Sequence, residues 1–226
     1  MTASWLGFEL TTPIVLASLT PISHARIREH VDFIKSAFKY GAGAVVLGSV
    51  NPCYIGNPNY NYTHNDLLCI KSGLYDTFES MMAISLIGPP YPNLSSVEYG
   101  VNLVKNLRKE IKNDIIVGSV INMGGISDVV MTATQLVESG VNAIELNLSC
   151  PNVNTDTMAV ATGVEEVIKE IYDKTKVPIS LKFSPTMNYS YLLDNNVVMK
   201  IISAITVNNA YFDPESIIRT NRMSSI

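Results

Sequence analysis

The chain has 226 residues, of which 47% are hydrophobic, so it is long enough to bury the core of one α/β domain or one barrel. Its formal net charge is −4 and its Lys and Arg residues form no dense block, which excludes the electrostatic surface that a nucleic-acid partner requires. No apolar run approaches the length that spans a bilayer, so we expect no membrane partner.

The cysteines and the first residues indicate a cellular compartment. Cys53, Cys69 and Cys150 are widely spaced and lack the pairing of a zinc site or a disulfide scaffold, which favours reduced thiols. Residues 1–12 contain Glu9 and no basic targeting segment. The three histidines lack metal-ligand spacing. We therefore expect a cytoplasmic protein that binds no metal.

Short β-branched runs alternate with amphipathic runs along the chain, which is the pattern of repeated βα units and a parallel sheet. The predicted strands are residues 14–18, 44–49, 115–121, 143–148, 179–183 and 201–207. Between the first two, apolar residues at spacings of three and four predict a helix over residues 27–38, and Gly41 suits its left-handed C-cap.

Two further helix starts are predicted from the spacing of a capping box, in which a hydroxyl and a Glu side chain each satisfy a free backbone N–H group. Ser95 and Glu98 form one such pair, and Thr162 and Glu165 form the other. An apolar periodic run follows each pair, so we expect a helix to begin at both places.

Residues 51–93 break the rhythm, because they are rich in Asn, Pro, Gly and Tyr and are too long for an ordinary βα connection. An excursion of this length either forms the lid or walls of a substrate site or is a mobile surface loop. No internal repeat or linker divides the chain, so we predict a single domain over residues 1–226.

Candidate functional residues lie where the predicted strands end, since ligands of parallel βα proteins bind at the carboxyl ends of the strands. One run there is informative: residues 145–152 read ELNLSCPN, which resembles the active-site signature of the dihydroorotate dehydrogenases. Similar segments follow the family's order along nearly the whole chain, namely PIVLAS at 13–18, GNP at 56–58 and LKFSP at 181–185.

The resemblance implies a TIM (β/α)8-type barrel that binds FMN and oxidises dihydroorotate to orotate in pyrimidine biosynthesis. It is closest to the class 1-like members, which use a cysteine base. The resemblance makes Cys150 the base that removes a proton from C5 of the substrate while hydride leaves C6 for N5 of FMN. A thiolate suits that role. The alternative is that Cys150 is a small core residue.

The resemblance also assigns binding residues. It implies substrate contacts for Asn147, Asn152 and Asn208, whose amides suit a pyrimidine ring and its carboxylate. The alternative for the first two is turn chemistry beside Pro151. The implied cofactor-binding residues are Ala17, Ser18, Ser49, Asn147, Lys182 and Val207.

Lys182 and the end of the first strand each carry an alternative. An inward Lys182 needs a partner, which the N1–C2=O region of an anionic flavin supplies, whereas an outward one would snorkel between helices. Ala17 and Ser18 are small enough to admit a flat ring, and the alternative is ordinary strand packing.

Three departures from the family pattern affect this interpretation. The family's lysine after the second strand is absent, since residues 46–50 read VLGSV, and the asparagine of its long loop is not evident. About six βα units are present, whereas a complete barrel needs ~250 residues. We therefore expect an incomplete barrel, either truncated or completed by a second chain, a homodimer being one form of such an assembly. The rival interpretations are a related pyrimidine-reducing flavoprotein and a noncatalytic barrel remnant.

Overall fold

One sheet of six parallel strands organises the chain, and each of its strands pairs with the strands that precede and follow it along the sequence. This computed structural model describes residues 3–19, 27–50, 96–121, 125–148, 163–183 and 190–207. Its elements are β1 (Ala3–Trp5), β2 (Phe8–Leu10), β3 (Val15–Leu19), α1 (Ile27–Lys39), β4 (Ala44–Leu47), α2 (Val97–Glu110), β5 (Ile115–Ile121), α3 (Ile126–Ser139), β6 (Ala143–Asn147), α4 (Val164–Thr175), β7 (Ile179–Phe183), α5 (Ser190–Leu193), α6 (Asn196–Ile201) and β8 (Ile202–Val207).

The main core lies between the outer face of the sheet and helices α1 to α4. Strands β4, β6 and β7 are buried along their whole length, as expected for parallel strands covered on both faces. Each helix turns one apolar stripe toward the sheet, because its apolar residues recur at helical spacing. The core includes Val31, Ile34, Val45, Leu47, Val104, Leu107, Leu136, Ile144, Leu146, Ile168, Ile171, Ile179 and Leu181.

A second, smaller cluster covers the inner face of the sheet near the amino ends of the strands. Leu6 packs there with Val46, Val117 and Ala143, and Trp5 and Phe8 pack against the same group. These aromatic residues come from the antiparallel hairpin of β1 and β2, whose two-residue turn has positive φ at both positions. The hairpin therefore covers the apolar end of the inner face, and it was not predicted.

The six predicted strands are confirmed with end shifts of at most two residues, and so is the C-cap of α1. Gly41 has φ 102°, and its N–H donates to Phe38 O at 3.1 Å. The (β/α)8-type architecture with about six βα units is confirmed in the described part of the chain. None of the described helices is long and apolar enough to cross a membrane.

Both predicted capping boxes are wrong. The N-cap of α2 is Ser96, whose hydroxyl accepts from Tyr99 N at 3.1 Å, so the helix begins one residue later than predicted. The N-cap of α4 is Gly163, with φ 101° and no side-chain cap. Ser95, Thr162 and the excursion at 51–93 lie outside the described residues. The single-domain organisation stays a prediction.

Candidate active site

Polar side chains occupy the inner face of the sheet beyond the apolar cluster, toward the carboxyl ends of the strands. Ser119 of β5, Glu145 of β6 and Ser180 of β7 are in register and all three are buried. The next layer of inward-facing side chains toward the carboxyl ends contains Asn147, which is in register with Lys182 of β7. Since alternate residues of a strand face opposite sides, these groups share one face while their neighbours pack against the helices.

Glu145 is the most enclosed ionisable group of this face, with a relative exposure of 2%. Its Oε1 accepts from Ser119 Oγ at 3.1 Å and its Oε2 accepts from Thr206 Oγ1 at 3.4 Å. Burial raises the pKa of the Glu145 carboxyl, although the positive charge of Lys182 and the two hydroxyl donors act in the opposite direction. The net result is a carboxyl that takes up a proton more readily than an exposed one.

Lys182 brings the positive charge of the site. It is 8% exposed and lies on the inner face next to Asn147 and Thr206, rather than snorkelling outward between helices. None of the ion pairs within 4.0 Å among the described residues includes Lys182. Its charge instead acts on Glu145 at longer range. A buried ammonium in this position is suited to an anionic ligand at the mouth.

Ser49 connects three strands through its hydroxyl. Ser49 Oγ lies 2.8 Å from Ser119 Oγ and 3.5 Å from Ser18 Oγ, and it accepts from Asn147 Nδ2 at 3.0 Å. The half-buried Ser49 is therefore the point where the mouth of the site meets the buried carboxylate.

A bulge after β4 explains how Ser49 reaches the inner face. Val46 pairs with Val117, whereas Val50 pairs with Val120, so β4 uses one more residue than β5 over this interval. Val50 N donates to Ser119 O at 2.8 Å, which restores the pairing. An extra residue in a strand re-aims the side chains beside it, and here it turns Ser49 inward.

The predicted site residues divide into three groups. Ser18, Ser49 and Asn147 are joined by hydrogen bonds, and Lys182 lies beside Asn147. Ala17 lies on β3 and is exposed.

The second group is Val207 alone. It is 69% exposed and follows Thr206, which faces inward, so it points to the opposite face of β8 and is not brought into the network.

The third group, Cys150, Asn152 and Asn208, lies outside the described residues. The roles of all these residues stay predictions.

Sequence reasoning missed Ser119, Glu145 and Thr206 as members of the network. A signal was available for the first two, because polar residues in largely apolar, buried strands need partners. No group of three or more His, Cys, Asp or Glu side chains among the described residues could hold a metal ion.

Comparison with known proteins finds relatives that are named as dehydrogenase subunits. No protein-family model matches the chain. The catalytic subunit of dihydroorotate dehydrogenase B (NAD(+)) from Thermoplasma volcanium is 35% identical, over 43% of this chain and 38% of that protein. The same subunit from Alkaliphilus metalliredigens is 27% identical, over 80% of this chain and 53% of that protein. The chain thus spans about two fifths to one half of the length of these curated relatives.

A solved structure of 2-naphthoyl-CoA reductase with 2-naphthoyl-CoA aligns with a TM-score of 0.54 at 9% identity, covering 100% of this chain and 44% of that one. At this identity the similarity supports the fold alone. The curated relatives share one name, so the chain is similar to catalytic subunits of dihydroorotate dehydrogenase B (NAD(+)) over part of their length.

Proposed function

We propose that the chain is an FMN-dependent oxidoreductase that converts dihydroorotate to orotate in pyrimidine biosynthesis. The observation that carries the proposal is the polar layer at the carboxyl ends of the strands, where the buried Lys182 lies beside the buried Asn147. The opposite end of the same face is apolar and is covered by the β1–β2 hairpin. The names of the curated relatives, which are dehydrogenase subunits, support the same reaction class.

The donor set of this layer fits a flavin. FMN supplies the hydride acceptor when it is bound. The Lys182 ammonium suits the N1–C2=O edge, where negative charge develops in a reduced flavin. Asn147 offers an amide beside it. The small Ala17, which is exposed on β3, is also included in the proposed cofactor site. We include Ser18 and Ser49 in the proposed cofactor site and leave out Val207, whose side chain is exposed on the opposite face of β8.

The substrate chemistry is assigned to residues of the ELNLSCPN segment. In the proposal, Cys150 as a thiolate takes the proton from C5 of dihydroorotate, and the hydride leaves C6. Asn147, Asn152 and Asn208 bind the polar edges of the pyrimidine through their amides. The proposed partner is a second copy or another chain that completes the barrel.

The test is anaerobic bleaching of the flavin by dihydroorotate. We expect the purified chain loaded with FMN to bleach, and Cys150→Ala and Cys150→Ser to slow bleaching by roughly 10²-fold or more while keeping the flavin absorbance. Ser127→Ala, at an exposed position of α3, is the control and bleaches at the wild-type rate. Equal rates in the wild type and both Cys150 variants would remove Cys150 from the proposed role.

A second candidate is a related flavoprotein that acts on a different pyrimidine, and Ser49 favours it. The position after β4 holds a neutral hydroxyl joined to Ser119 and Asn147, not a cation. A neutral group there provides no counter-charge for the carboxylate of orotate. Calorimetry with orotate and with uracil separates the two candidates, since heat with uracil alone would favour the second.

A further inference from the structure

A chain of hydroxyl groups connects the mouth of the proposed site to a buried carboxylate. Ser49 Oγ lies 2.8 Å from Ser119 Oγ, and Ser119 Oγ lies 3.1 Å from Glu145 Oε1. Ser49 is half-buried, whereas Ser119 and Glu145 are fully enclosed. This series of hydroxyl groups therefore runs inward from the surface of the site.

The hydrogen bonds from Ser49 through Ser119 to Glu145 all run in one direction. An ionised Glu145 can only accept, so Ser119 donates its single hydroxyl hydrogen to Oε1. Ser119 Oγ is then left to accept from Ser49, which donates along the 2.8 Å contact. Ser49 Oγ in turn accepts from Asn147 Nδ2 at 3.0 Å. Every hydroxyl hydrogen thus points toward the carboxylate.

We propose that Ser49 and Ser119 conduct a proton from the mouth of the site to Glu145, which holds it during substrate oxidation. The inference rests on the proposed function, because that oxidation releases the proton. Glu145 acts through the two serines and does not touch the substrate, so it is a proton-holding and positioning residue.

The transfer balances without any other reactant. The S–H bond of the proposed base breaks as it returns to the thiolate, and the proton it gives up bonds to Ser49 Oγ. At the same time the Ser49 hydrogen moves to Ser119 Oγ and the Ser119 hydrogen moves to Glu145 Oε1. One O–H bond forms and one breaks at each serine, the carboxylate becomes a neutral carboxyl, and no electron moves. The proton leaves by the reverse path.

The surroundings of Glu145 suit a reversible proton acceptor. Burial raises its pKa, and Lys182 is the charged group among the described residues that opposes this effect. Thr206 of β8 and Ser119 of β5 contribute only hydroxyls, so no second carboxylate of the described strands competes for the proton. The net direction is upward, so the carboxyl accepts a proton more readily than an exposed one does.

Infrared difference spectroscopy of the FMN-loaded chain tests the proposal. When dihydroorotate reduces the flavin, we expect a C=O band of a neutral carboxyl to appear and to be absent in Glu145→Gln. Ser119→Ala interrupts the path and slows the band by roughly 10²-fold. Ser180→Ala is the matched control, since it removes a buried hydroxyl of the same layer outside the path, and it retains the band. Bleaching without the band in the wild type overturns the inference.

A second measurement separates this inference from the proposed function. If dihydroorotate fails to bleach the flavin, the proposed reaction is wrong, and the path is judged on the flavin-free chain by carbon-13 NMR of the Glu145 carboxyl. Removing the hydroxyl donor by Ser119→Ala raises the pKa of Glu145, and Ser180→Ala has a smaller effect. An unchanged Glu145 titration in Ser119→Ala overturns the inference.

Discussion

Replacing Glu145 by Gln is expected to stabilise the protein at neutral pH although it removes a charge next to a buried lysine. The carboxyl has a raised pKa in the folded chain, since desolvation outweighs the attraction of Lys182 and the hydroxyl donors. The folded state therefore binds more protons than the unfolded state between the ordinary glutamate pKa of 4.5 and the raised pKa. The free energy of unfolding falls as pH rises through this window, and the deficit persists at higher pH.

The magnitude follows from the difference between the folded and unfolded pKa values of Glu145. At a pH above both, a tenfold difference in proton affinity lowers the free energy of unfolding by about 1.4 kcal/mol. Gln resembles the protonated carboxyl, so Glu145→Gln removes this cost at pH 7.5 and changes little at pH 4. For a chain of this size, each kcal/mol corresponds to a shift of about 2–4 °C in Tm.

Urea unfolding at pH 4 and pH 7.5 measures the effect. The exposed Glu166→Gln is the control, with a change of at most about 0.5 kcal/mol at either pH. If Glu145→Gln is destabilised more at pH 7.5 than at pH 4, the carboxylate is a net stabilising group. The reasoning from burial would then be wrong.

Two further changes test the packing of the fold. Gly140→Ala is expected to lower the free energy of unfolding by about 1–3 kcal/mol, because φ is 118° and a Cβ would lie 2.9 Å from Arg108 Cγ; an unchanged urea midpoint would contradict this. Burial lowers the pKa of His30 from 6.5 to about 4. The unfolded state therefore binds more protons than the folded state between these values. As pH falls through that range, His30 lowers the free energy of unfolding by about 1–3 kcal/mol. Comparison of Tm for the wild type and His30→Gln at pH 4 and pH 7.5 checks this, and a parallel pH dependence in both proteins would refute it.

The sheet could be predicted because its strands have a strong local signal. Residues 115–121 are an apolar run rich in Ile and Val between amphipathic helices, and buried parallel strands favour that composition. The β1–β2 hairpin lacks such a signal, since its strands have three residues each and its role depends on the distant Val117 and Ala143. The capping box before α2 failed because two hydroxyl residues compete at adjacent positions, and Ser96 is the N-cap. The N-cap of α4 is Gly163, which has no side chain to form a capping box.

The site was predictable only where a residue type was unusual for its strand. Lys182 and Asn147 are polar residues in buried strands, so their inward orientation follows from the need for polar partners. Ser49 reaches the network through a bulge, which depends on the pairing of β4 with β5 and not on local sequence. Glu145 lies within the motif that indicated the family, yet its contacts with Ser119 and Thr206 come from two other strands.

Flavin binding by Lys182 variants tests the central claim most directly. We predict that the chain binds FMN and that Lys182→Met weakens the affinity roughly thirtyfold or more, since truncating a buried charge partner costs about 2 kcal/mol or more. Lys200→Met, at an exposed position of α6, is the control and keeps the wild-type affinity. The account is contradicted if the chain binds no FMN, or if both lysine variants bind it as tightly as the wild type.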